Sequence, residues 1–305
     1  MADIYDVIII GGGPAGLTAG IYCSRARFKT LMIEKLVPGG QVMTAFMIEN
    51  YPGFPEGIQG PDLMERFTRQ AKRFGLETDS GTVEKITMEG ETKVVHLEDR
   101  IVKGRAVIIA TGAAPVKLGV PGEGLYTGRG VSYCATCDGA FFRNMEVAVI
   151  GGGDSALSEA LFLTRLADKV YVIHRRDQLR AEAILQEEAK ANPKISFIWD
   201  TVVDAVEGDE SGMTGLKLRN LKSGETSDLP AQGVFIYVGM RPNTEFLRGL
   251  IELATDGYIV ADEEGRTSIP GIFAAGDVRK KQLRQIATAV GDGAAVSMTV
   301  EKYLK

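Results

Sequence analysis

The chain has 305 residues, 45% hydrophobic and 25% charged, with a formal net charge of −5. That length suits two domains of ordinary size, and the acidic balance with scattered Lys and Arg argues against nucleic acid as a partner. The opening MADIYDVIII lacks the basic flank and cleavage site of a secretory signal, and no apolar run reaches the ~18 residues of a membrane span, so a cytoplasmic protein is expected.

Residues 4–34, IYDVIIIGGGPAGLTAGIYCSRARFKTLMIE, read as strand, glycine turn, helix and strand. The run Val7, Ile8, Ile9, Ile10 suits a strand buried on both faces. Gly11, Gly13 and Gly16 spell G-x-G-x-x-G. The first permits a sharp turn, the second admits a pyrophosphate close to the backbone, and the third lets the helix pack on the strand. N–H groups at the helix start then face the anion. Glu34 ends the second strand 23 residues after Gly11, where a carboxylate accepts hydrogen bonds from an unphosphorylated ribose. Cys23 shares a helix face with Ala15 and Ala19 and reads as a buried structural thiol.

AVIIATG, 106–112, is a further buried strand ending in Thr111 and Gly112, with Pro115 soon after. YCATCDGAFF, 133–142, then brings Cys134 and Cys137 two residues apart. With three cysteines and two histidines in the chain, a closed structural zinc site of four ligands is not expected, and no metal is assigned. Two readings of this C-x-x-C stay open on spacing alone: incidental thiols, or a redox couple that opens and closes.

Residues 145–174 repeat the opening grammar: strand MEVAVI, turn GGGDSA, helix, strand KVYVIH. Gly151, Gly153 and Ala156 satisfy G-x-G-x-x-A. His174 stands 23 residues after Gly151, in the slot that Glu34 fills in the first copy. Arg175, Arg176 and Arg180 follow it. An acid here would repel a 2′-phosphate, whereas these arginines bind one by charge-assisted hydrogen bonds, so this site is expected to prefer NADPH. GVFIYVGMRPN, 233–243, is the counterpart of 106–112, and GIFAAGDV is a last strand ending in Gly276 and Asp277. A helix is predicted from about Leu283 toward Leu304, with Ile286, Val290 and Ala294 at helical spacing. This tail has no glycine turn, so it is expected to return to the first domain and complete its site. The fold class is therefore α/β: two Rossmann-like dinucleotide-binding domains, with the second (115–243), expected to take NADPH, inserted into a discontinuous first (1–114 and 244–305).

GGGPAGLTA, PGGQ, ENYPGFP, IATGA, YCATCDGAFF, GGGDSA, HRRDQLRA, VGMRPNT, IPGIFAAGDV and LRQIATAVGDG occur in this order and span nearly the whole chain. Together they resemble the low-molecular-weight thioredoxin reductases, within the FAD/NADPH-dependent pyridine nucleotide-disulfide oxidoreductases. The resemblance implies FAD in the first site, NADPH in the second, and a homodimer. It further implies that hydride passes from NADPH to FAD, then to a Cys134–Cys137 disulfide, then by dithiol exchange to thioredoxin, with a domain rotation between half-reactions. Carried over by position, the FAD contacts are Gly11, Gly13, Pro14, Ala15, Gly16, Glu34, Lys35, Gly40, Gln41, Asn50, Val83, Ala110, Thr111, Gly112, Gly276, Asp277, Arg284, Gln285 and Ile286. The NADPH contacts are Gly151, Gly153, Asp154, Ser155, His174, Arg175, Arg176, Arg180 and Ile236. Asp138 resembles the family's acid–base residue; its alternative is a turn residue that caps local N–H groups. GDVRKKQLRQ is more basic between Asp277 and Arg284 than the family suggests, which would bear on a partner surface. Two other classes fit less well. A thiol oxidase of the same build needs no NADPH site, and a nucleotide-binding interaction module would leave the cysteines passive.

Overall fold

The computed structural model describes residues 4–44, 48 and 50–305, apart from the side chains of Thr44, Thr136 and Cys137. The chain starts with β1 (Ile4–Ile10), α1 (Pro14–Arg25), β2 (Thr30–Glu34), α2 (Gly60–Arg73) and β3 (Glu77–Ser80). The antiparallel run β4 (Val83–Glu89), β5 (Thr92–Leu97) and β6 (Ile101–Ile109) follows. β3, β2, β1 and β6 lie side by side and parallel, with β5 and β4 continuing antiparallel beyond β6. Successive side chains of a strand point to opposite faces. Val7 and Ile9 accordingly enter the core with Leu17 and Met32, while Ile8 and Ile10 join Val95 and Ile259 on the other side. The expected strand 106–112 begins earlier, at Ile101, and ends at Ile109.

A short strand, β7 (Ala113–Pro115), leaves this unit. The second unit then forms α3 (Glu123–Tyr126), β8 (Val131–Ser132), α4 (Ala135–Asp138), β9 (Glu146–Ile150), α5 (Asp154–Leu163), β10 (Lys169–Ile173), α6 (Ala183–Ala191) and β11 (Ile195–Ile198). It closes with β12 (Thr201–Asp209), β13 (Gly212–Asn220), β14 (Thr226–Pro230) and β15 (Gly233–Ile236). Its parallel sheet has the order β11-β10-β9-β15-β8, and β12-β13-β14 form a separate antiparallel sheet. Val147 and Val149 pack on Leu157 and Leu163 of α5. Ala148 and Ile150 pack on Val203, Leu216 and Leu218 of the antiparallel layer.

β16 (Met240–Pro242) pairs with β7 and leads back to the first unit, where β17 (Ile272–Ala274) lies parallel to β6 and α7 (Ile286–Leu304) ends the fold. The compact units are Met1–Ala114 with Arg241–Lys305, and Pro115–Met240. The sequence 233–243 is thus two strands, and the compact second unit ends at Met240, against an expected end at 243. α7 starts at Ile286 because Gln285 caps it reciprocally with Thr288. Its buried stripe is Ala289, Gly293, Val296 and Val300, one residue round from the predicted Ile286, Val290 and Ala294, which are half-buried. Small residues explain the offset: a Cβ on Gly293 would lie 2.4 Å from the Ala15 carbonyl, so α7 presses on α1 through its smallest face. Among the described residues no helix is long and apolar enough to cross a membrane.

Candidate cofactor and redox sites

In the first unit the turn between β1 and α1 is built as its glycines require. Gly11 has φ +104°, and a Cβ there would stand 2.4 Å from the Ala110 carbonyl oxygen. A Cβ on Gly16 would stand 1.9 Å from the Gly11 carbonyl oxygen. Gly13 differs, with nothing within 4 Å of its missing Cβ. It is the N-cap of α1 without a side-chain cap, and Pro14 is the first helical residue, so the N–H groups near Ala15 are left for an outside acceptor. Glu34 reaches back to this turn, its Oε2 accepting the Gly12 N–H at 2.6 Å. Gly39 N–H donates to the Gly12 carbonyl, and Gly40, which with Gln41 opens the 3₁₀ turn Gly40–Thr44, would touch Gly13 through a Cβ at 3.3 Å.

Other expected flavin contacts gather around this turn. Gly81 N–H donates to the Glu34 carbonyl, which brings the start of β4 at Val83 near the end of β2, while Lys35 is exposed. Ala110 N–H donates to Ile10. The Thr111 hydroxyl is engaged with the Asn243 carbonyl at 2.8 Å, and Asn243 clasps the Thr111 carbonyl and Gly112 in return. Asn50 Nδ2 donates to Gln285 Oε1 at 3.1 Å, just before Ile286 begins α7. The Arg284 guanidinium lies 3.9 Å over the Tyr258 ring. Gly276 packs on α1: a Cβ there would meet Ala15 Cβ at 2.8 Å. Asp277 Oδ1 is buried with no hydrogen-bond partner. Burial raises the Asp277 pKa above the usual carboxylate range, against the pull of Lys281 and Arg284. An open glycine, uncapped helix N–H groups and a bare buried acceptor together fit a dinucleotide with a pyrophosphate and sugar hydroxyls.

The second unit repeats this construction. Gly151, at φ +152°, would drive a Cβ to 2.6 Å from the Tyr237 carbonyl oxygen, and Gly153, the N-cap of α5, has nothing within 4 Å. Ser155 is exposed in the first turn, and Asp154 Oδ1 accepts the Glu182 N–H at 2.7 Å. His174 is buried, 4% exposed, under Gly152; a Cβ on Gly152 would lie 2.4 Å from its ring. Its Nε2 lies 3.1 Å from the Gln178 carbonyl oxygen. Burial first, with Arg180, Arg176 and Arg175 adding, lowers the His174 pKa, so the ring is a neutral prop for the turn. The arginines themselves are exposed, and among the described residues none of their guanidinium groups forms an ion pair. Ile236 is buried at the end of β15, leaving its main chain rather than its side chain to a ligand. Open Gly153 and three unpaired guanidiniums fit a phosphorylated dinucleotide.

Between β8 and β9 of the same unit, Cys134 is disulfide-bonded and caps α4. The Cys137 side chain lies outside the described atoms. The Ser132 hydroxyl donates to Asp138 Oδ2 at 2.6 Å and accepts the Cys134 N–H at 3.1 Å. The Tyr237 hydroxyl, at the end of β15, accepts the Ala135 N–H at 2.6 Å, and burial raises its pKa. Asp138 is thus held by a side-chain donor while its own N–H donates to the Cys134 carbonyl, so it both closes the turn and stays beside the redox segment. Ser132, Tyr237 and Asn243 carry no signal in a sequence read by spacing, because their partners come from other elements. Cys23, by contrast, is a free buried thiol whose pKa burial pushes up to about 12. That suits packing and not exchange.

Residues 5–293 match the family described as pyridine nucleotide-disulphide oxidoreductase. A thioredoxin reductase of Listeria monocytogenes is 53% identical over 302 residues, 99% of this chain and 94% of that one. The crystal structure of Lactococcus lactis thioredoxin reductase superposes with a TM-score of 0.83 at 49% identity, covering 98% of this chain and 99% of that one. The crystal structure of T. acidophilum thioredoxin reductase gives a TM-score of 0.80 at 36% identity, covering 98% of each chain. With both dinucleotide turns and a disulfide-bonded Cys134 in place, the chain belongs to the pyridine nucleotide-disulphide oxidoreductases, among their thioredoxin reductases.

Proposed function

We propose that this chain uses NADPH and FAD to reduce the disulfide of a thioredoxin through Cys134 and Cys137, as a homodimer in the cytoplasm. The observation that carries the reading is the disulfide-bonded Cys134 at the head of α4, in the same unit as a glycine turn followed by three exposed arginines. FAD, when bound, accepts a hydride from NADPH and passes two electrons to a disulfide. The protein's own residues do the rest. Gly13 and the start of α1 bind and orient a pyrophosphate, and Glu34 takes a ribose. Gly153 with Arg175, Arg176 and Arg180 does the same for NADPH.

Once Cys134–Cys137 is reduced, the thiolate of one cysteine attacks a sulfur of the thioredoxin disulfide, forming a mixed disulfide and expelling the other thioredoxin thiolate. The second cysteine then attacks the mixed disulfide, restoring Cys134–Cys137 and releasing dithiol thioredoxin. Asp138, held by Ser132, supplies and recovers the proton of this exchange. The paired crossing strands β7 and β16 are read as the hinge for a rotation that alternates the two half-reactions. Anaerobic addition of NADPH to the yellow protein tests the reading. Loss of the oxidised-flavin absorbance is expected in the parent and in Cys134→Ser, with thioredoxin reduction lost only in the variant. Equal thioredoxin reduction by both proteins would overturn it.

A further inference from the structure

Arg279, Lys280 and Lys281 look like a basic surface in sequence, yet two of these cations face inward. Arg279 is 8% exposed. Its Nη1 pairs with Asp292 Oδ1 at 3.0 Å, and Lys281 Nζ pairs with Asp292 Oδ2 at 2.9 Å. Asp292 Oδ2 also accepts the Gly276 N–H at 2.9 Å. One carboxylate on α7 therefore collects three donors, all from the segment that follows β17. Arg279 is tied further to the Asp262 carbonyl at 2.6 Å, and Lys281 to the Thr288 hydroxyl at 3.4 Å. Asp277 sits inside this clamp, between Gly276 and Arg279, with its Oδ1 buried and bare.

We propose that Asp292 is a positioning residue for the FAD site: it clamps the Gly276–Lys281 segment so that Asp277 and the start of α1 keep the arrangement that FAD binds. The inference rests on the first unit being the FAD site. Gly276, at φ +80°, packs directly on Ala15, so any shift of the turn is passed to the helix start. Charge balance points the same way. Arg279 and Lys281 bring two positive charges to this turn, and Asp292 is the carboxylate that pairs with both. Removing Asp292 takes that carboxylate from buried Arg279 and half-buried Lys281, and an orphaned partner in a buried pair is costly. A carboxylate that merely stabilised α7 would need neither the Gly276 N–H nor both cations.

The experiment measures FAD binding by Asp292→Asn and Lys281→Gln. Flavin-free protein is titrated with FAD, and the unfolding temperature is recorded with and without it. A purely structural role lowers both temperatures equally, leaving the FAD-induced increment and the Kd unchanged. The proposal expects FAD affinity to fall by roughly tenfold or more in Asp292→Asn, less in Lys281→Gln, with the increment shrinking in step. NADPH affinity should stay at the parent value in both variants. An FAD Kd within about twofold of the parent in the variants would overturn it. If Asp292→Asn does not fold, Lys281→Gln carries the comparison with the same two outcomes. A parent chain that takes up no FAD would instead defeat the assignment of the site itself.

Discussion

Within each phosphate turn, neighbouring glycines do opposite work. Gly13 and Gly153 have ordinary backbone angles and open space at the missing Cβ, so the fold itself does not require glycine there, and the proposed role is to admit the ligand. Gly13→Ala is expected to fold within about 0.5 kcal/mol of the parent yet to purify with little flavin. Gly153→Ala should keep its flavin and lose NADPH affinity; absorbance spectra and NADPH titration check both. Gly16→Ala places a methyl 1.9 Å from a carbonyl oxygen and should fail to fold, as read by circular dichroism. His174 gives a pH signature. Its folded pKa is lowered by burial, whereas the unfolded imidazole protonates near 6.5, so the unfolded state binds more protons below that pH. The stability it supports is complete above about pH 6.5 and is lost as pH falls through the lowered folded value. Urea unfolding at pH 7.5 and 5.5 should show this loss in the parent and a smaller one in His174→Gln. Because His174 props Gly152 while the arginines reach solvent, a change of coenzyme preference should come from Arg175 and Arg176.

At the scale of elements, the proposed contacts to the NADPH 2′-phosphate are the arginines that follow β10. Arg175→Ala with Arg176→Ala should raise the KM for NADPH by about tenfold or more, from lost charge-assisted hydrogen bonds, and leave NADH turnover unaffected in steady-state assays. Strands β1 and β9 were legible in the sequence because continuous apolar runs between glycine turns leave few alternatives. α7 was legible in extent but not in face. Its contact with α1 runs through Gly293 and Ser297, which a search for large apolar residues passes over. β8 and α4 are too short to leave a periodic signal, so the support beneath Cys134 was hidden. Its key tie, Ala135 to Tyr237, joins residues 102 positions apart. The same holds for Lys281: a charge run suggests solvent until Asp292, on another element, claims it.

For the whole molecule, the decisive feature is that Pro115–Met240 is one uninterrupted stretch with its own two sheets and its own two cores. Expressed alone, residues 115–240 should unfold cooperatively in urea and bind NADPH with affinity close to that of the full chain, as isothermal calorimetry would record. The glycine turn, the arginines and the core under them all lie inside it. Since β7 and β16 pair, the two ends of this stretch lie about one strand spacing, roughly 5 Å, apart. Topologically the whole second unit is a large loop hung from one small ribbon. Excising it and closing the gap with a short glycine bridge is expected to leave a yellow protein, as an absorbance spectrum would show. Exchange for the matching stretch of a relative is likewise expected to ask no new path of the remaining chain.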